Sequence, residues 1–113
     1  MNNKKLEKLI GQKSSLLLDA YMLMDSENNK DCARAKQLMS KAAPLEEKIG
    51  DELALRGRVF DASINYLSAG TCYRIVEQLE NSTRTYNKIL NSALKHPGII
   101  PEKTVQEASK YIK

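Results

Sequence analysis

Two cysteines, one histidine, one phenylalanine and no tryptophan occur among the 113 residues, and each shortage removes a class of answer. Two cysteines cannot staple a small disulfide scaffold. With a single histidine beside them they also fall short of the three or four ligands of a zinc site. Cys32 and Cys72 both lie in helical patterns, so buried free thiols and a reducing compartment are expected. The glycines at 11, 50, 57, 70 and 98 stand alone, so there is no glycine-rich phosphate loop. Calcium loops and nucleophile elbows are missing as well. His96, next to Pro97, has no Cys, Ser or Asp at a telling spacing and reads as a helix-end residue that complements the dipole. Glu46 and Glu47, like Asp51 and Glu52, are chain neighbours that project about 100° apart on a helix and need not share a site. No catalytic residue, cofactor or metal is therefore expected, and the chain reads as a non-enzyme.

Long apolar runs are lacking too. Nothing approaches the roughly 20 residues of a membrane span. The apolar part of the N-terminus is interrupted by Lys8, Lys13 and Asp19 and is not followed by a small-residue cleavage site. A cytoplasmic protein with no membrane association is the expectation.

What is present is ordinary for a globular chain: 42% hydrophobic and 28% charged residues, enough for one helical domain over residues 1–113. With few β-branched runs, strands have little to build on. The expected class is all-α, with five to six antiparallel helices as helical hairpins or an irregular bundle, closed by a short C-terminal helix. Leu6, Ile10, Leu17, Tyr21 and Met24 recur at three- and four-residue steps over 4–25 and mark a first helix, ended by the turn chemistry of 25–30. Asp31 is a candidate N-cap for a second helix, within which Pro44 predicts a break or kink near Ala43. Gly57 is its expected stop. Over 59–79 apolar residues mark two faces, Phe60, Ile64, Leu67 and Ile75 on one and Ala62, Tyr66, Ala69, Gly70, Tyr73 and Val76 on the other, as in a helix packed between two neighbours. A further helix over 82–94 carries Tyr86, Ile89, Leu90 and Ala93 on one side. Pro97, Gly98 and Pro101 then force a loop before a final short helix.

Tyr66, Gly70, Tyr73, Ser82 and Tyr86 stand at the spacings of the tetratricopeptide repeat, a helix-turn-helix unit of about 34 residues. The segment 61–95 resembles one divergent repeat of that family, with Ile89 where a small residue is usual and Leu94 where a closing proline stands. The resemblance implies stacked hairpins whose groove binds peptides, and a single buried seam where these tyrosines and Gly70 meet. No tandem copy is visible: Ala35 and Met39 could match Ser82 and Tyr86, but they lie 47 residues earlier.

By that resemblance, a protein or peptide partner would contact Ile64, Leu67, Thr71 and Arg74, the last through charge-assisted hydrogen bonds to a carboxylate. Lys and Asn, which hold acidic C-terminal tails in one branch of the family, are replaced by Leu67 and Thr71. The alternative for Ile64 and Leu67 is burial under the preceding helix. A second function class rests on charge. The net +4 lies entirely beyond residue 81, since 12 basic and 12 acidic residues balance before it. Arg84, Lys88 and Lys95 fall within about 40° on one helix face, a stripe able to track nucleic-acid phosphates or simply to be solvated. Self-association as a homodimer through the first helix is the remaining partner reading.

Overall fold

A computed structural model describes residues 1–112, and among them there are five α-helices and no strand. Helix α1 spans Asn3–Met24, α2 Asn29–Leu55, α3 Val59–Ile75, α4 Leu79–Lys95 and α5 Glu102–Lys110. Three-residue turns at 56–58 and 76–78 leave successive helices no course but antiparallel packing. Each helix packs on the next in sequence, and α5 also touches α3. The molecule measures 44 × 36 × 20 Å, and the short axis is the thickness of two helix layers at about 10 Å each. Lys13 of α1 reaches Asn65 of α3 at 3.4 Å, and α2 is tied to α4 by ion pairs. Odd-numbered helices thus form one layer and even-numbered helices the other.

The all-α class with a short closing helix is as expected; several boundaries are not. Helix α2 begins three residues earlier than an Asp31 cap implies, because the Asn28 side chain accepts the Lys30 amide at 2.8 Å. Asp31 instead lies in the first turn, where its charge suits the dipole. The break expected near Ala43 is absent, and α2 runs through Pro44. Pro44 is exposed, so its ring projects to solvent and the lost amide bond is on the wet side of the helix.

The seam expected between the two helices of one hairpin is split in two. Tyr66 and Tyr73 turn toward α2, while Tyr86 turns toward α3. A Cβ built on Gly50 would lie 2.6 Å from the Tyr66 ring, and one built on Gly70 would lie 2.5 Å from the Tyr86 ring. Each glycine lets a tyrosine lie flat on the neighbouring helix backbone, and each tyrosine hydroxyl bonds the residue after its glycine, Asp51 at 2.7 Å and Thr71 at 3.0 Å. The turns match as well. Gly57 and Glu77 both have positive φ, at 78° and 64°, and Arg58 and Gln78 amides close six-residue caps onto Leu53 and Tyr73 at 2.9 and 2.8 Å. Gly50 and Gly70, Gly57 and Glu77, and Tyr66 and Tyr86 are each twenty residues apart. The chain therefore repeats one helix-to-helix joint at a period shorter than a hairpin, invisible to a comparison made at hairpin length.

Candidate interaction surface

The four residues expected to face a partner lie on α3 but differ in availability. Ile64 is 51% exposed, beside the exposed Phe60. Leu67 is partly buried against the core cluster around Ile49, Tyr66 and Tyr86, so the alternative of burial holds for it and not for Ile64. Thr71 is half-buried, its hydroxyl donating to the Leu67 carbonyl at 2.9 Å and sharing a hydrogen bond with Tyr86. The Arg74 guanidinium lies 3.8 Å from the ring centroid of Tyr111, just past α5.

The sequence reading assigns α1 to self-association and leaves it no part in the partner groove. Ile10, Leu18, Tyr21 and Met22 lie within about 120° on one side of α1 and are exposed, Leu18 at 62% and Met22 at 68%. Their periodicity was visible, but Leu6, Leu17 and Ala20 are the α1 residues that bury against the rest. The apolar stripe of α1 is wider than its packing against α2 and its smaller contact with α3 cover.

Beneath the junction of α1 and α3 lies Glu46, fully buried. The Cys72 thiol donates to its Oε1 at 3.5 Å, and Oε2 has no hydrogen-bond partner. Burial pushes the Glu46 carboxyl above its ordinary range, against opposing hydrogen bonds from Ser68 and Cys72. Burial also pushes the Cys72 thiol far up, with the Glu46 charge adding to it, so this cysteine is an unreactive core group. Cys32 and Cys72 are both free.

The basic stripe is not the open surface expected. Arg84 forks onto Glu47, Nε at 3.0 Å and Nη2 at 2.6 Å. Lys88 bridges Glu47 at 2.8 Å and Asp51 at 2.9 Å, and Tyr73 donates to Glu47 at 2.9 Å. Burial alone would raise the Glu47 carboxyl, but hydrogen bonds from Arg84, Lys88 and Tyr73 outweigh it and hold it down to about 2. Burial raises the Tyr73 phenol to about 12, with the hydrogen bond to Glu47 adding to it. Arg84 and Lys88 thus serve the α2–α4 contact, and of the three only Lys95 makes no ion pair among the described residues.

No group of three or more His, Cys, Asp or Glu side chains among the described residues is placed to hold a metal ion. No helix of these residues is long and apolar enough to cross a membrane. No protein-family model matches the chain, and neither the curated proteins nor the solved structures contain a significant match.

Proposed function

We propose that this protein is an interaction module that receives a helix or peptide of another protein on the layer formed by α1 and α3, in the manner of the tetratricopeptide hairpins it resembles. The observation that carries the reading is the concentration of exposed apolar side chains on these two helices: Ile10, Leu18, Tyr21 and Met22 on α1, Phe60 and Ile64 on α3. Apolar faces left open beside a packed core are the usual mark of a docking surface, and rows at helical spacing suit an amphipathic helix laid along them. In this reading no bond is made or broken, and the pairing of Arg84 and Lys88 leaves little positive surface on α4 for nucleic acid.

The test compares surface substitutions that leave the core alone. Leu18→Asp and Ile64→Asp should each abolish cross-linking to a partner captured from the native source. Leu94→Asp, at an 81% exposed site on α4, should retain it. Equal retention by all three variants would remove the surface. Sedimentation of the purified chain distinguishes a second copy from a foreign partner as the occupant.

A further inference from the structure

A partly enclosed cavity of about 220 Å³ lies where the end of α3, the start of α4 and the end of α5 converge, lined by Arg74, Leu79, Ser82, Thr83, Lys110 and Tyr111. Two of its walls are cations, and neither has a carboxylate within ion-pair distance among the described residues. Arg74 is held in place by its position over the Tyr111 ring, which in turn stacks on Tyr86 at 6.0 Å. The Tyr86 phenol is the group that most favours the Arg74 charge. Even so, the Arg74 Nε is buried and donates to nothing. Lys110 lies 5.4 Å from the Tyr111 ring centroid, so both cations border the same aromatic wall.

The third source of positive potential is the N-terminus of α4, which has no side-chain cap. The amide of its N-cap residue, Gln78, goes instead to Ser40 at 3.2 Å, and its carbonyl oxygen accepts from Asn81. Glu80 is exposed and is not among the residues lining the cavity. Glu107 on α5 lends Arg74 a minor favourable coulombic interaction without forming an ion pair. Of the remaining walls, Leu79 and the ring of Tyr111 are apolar, while Ser82 and Thr83 carry hydroxyls, that of Ser82 already donated to the Gly70 carbonyl at 3.0 Å.

We infer that this cavity is a binding site for a carboxylate carried on an apolar stem, such as the side chain of a glutamate or a short alkyl acid. Arg74 and Lys110 grip the carboxylate, and Leu79 and Tyr111 hold the stem. A guanidinium pinned on an aromatic face is organised for forked recognition of a planar anion. The volume exceeds what a lone phosphate fills, and the apolar walls would be left wet by one. The inference deepens the partner reading by giving it a charged anchor, yet the two fail separately. The cavity is tested without any partner, and the α1–α3 surface without any acid.

The experiment follows the Arg74 Nε–H signal and the backbone amides of the full chain by NMR. The probes are hexanoate, hexanamide, inorganic phosphate and an acetylated, amidated Ala-Glu-Ala peptide. Hexanoate should saturate and move the signals of Arg74, Thr83 and Lys110, whereas hexanamide should move none of them. Arg74→Gln and Lys110→Gln should each weaken hexanoate binding at least tenfold. Arg74→Lys should fail to restore it, because an ammonium lacks the fork. Should Arg74→Gln unfold the chain, the exposed Lys110→Gln variant carries the test alone. Binding of the capped peptide as strong as that of hexanoate assigns the site to a glutamate of a partner, and binding of hexanoate alone assigns it to a free acid. Phosphate binding as tight as hexanoate binding, shifts scattered outside the cavity, or affinity unchanged in Lys110→Gln would each overturn the inference.

Discussion

Replacing glycine by alanine at three helical positions should give opposite signs of stability change. At Gly70 the new Cβ would meet Tyr86 Cε1 at 2.5 Å, Cδ1 at 2.8 Å and Cζ at 2.9 Å, roughly 1 Å inside ordinary van der Waals contact. The ring has little room to retreat. Tyr86 is fully buried, its hydroxyl is tied to Thr71, and Tyr111 lies against it. Overpacking of this severity costs about 3 kcal/mol, and alanine returns about 1 kcal/mol of helix propensity. The net loss is thus about 2 kcal/mol. Gly50, under the buried Tyr66 ring, should lose a similar amount. Gly11 has nothing within 4 Å of the built Cβ, so Gly11→Ala should gain about 1 kcal/mol from propensity alone. Urea unfolding followed by far-UV circular dichroism, read as midpoints at constant slope, separates the three. A Gly70→Ala protein as stable as the parent would refute the tyrosine-on-glycine joint, and so would a shared gain at all three positions.

Acid should weaken the α2–α4 tie. The Glu47 carboxyl is held at about 2 against an ordinary 4.5, so its stabilisation is complete above about pH 4.5 and is lost as pH falls toward 2. The shift corresponds to about 3 kcal/mol, reduced to roughly half by solvent screening because Arg84 is half exposed. Glu47→Gln should flatten stability over that window, and parallel pH curves for the two proteins would contradict it. Glu46 behaves oppositely: its carboxyl is raised, so the folded state keeps its proton longer and this group's contribution falls as pH climbs above 4.5. Glu46→Gln should therefore be about 1 kcal/mol more stable than the parent at neutral pH, by removing a buried charge, with the difference shrinking toward pH 4.5. Calorimetry at the two pH values would show an unchanged or reversed difference if the buried charge is not the cause.

Helix content and most of the turns were legible in the residues themselves, but the α3–α4 turn, expected at 80–81, falls at 76–78. The three- and four-residue apolar steps of 4–25, the isolated Gly57 and the prolines around Gly98 are local signals that act through backbone geometry. Pro44 misled because its local cost depends on which side of the helix it faces, and that side is solvent. Ile64 and Leu67 share one helix face in sequence, yet one is open and the other packs on the core. Their difference depends on core neighbours from other helices, such as Ile49 and Tyr86.

The order of residues alone determined that this chain is helical and about how many helices it has, because those choices are made within a few residues; the α3–α4 boundary and the passage of α2 through Pro44 were decided by packing. Which tyrosine lies on which glycine, that Arg84 and Lys88 spend their charge on Glu47 and Asp51, and that Arg74 faces a cavity instead of open solvent were decided only when the layers closed. Those facts depend on the distance between side chains sixteen to thirty-seven positions apart, and no periodicity within a single helix encodes it.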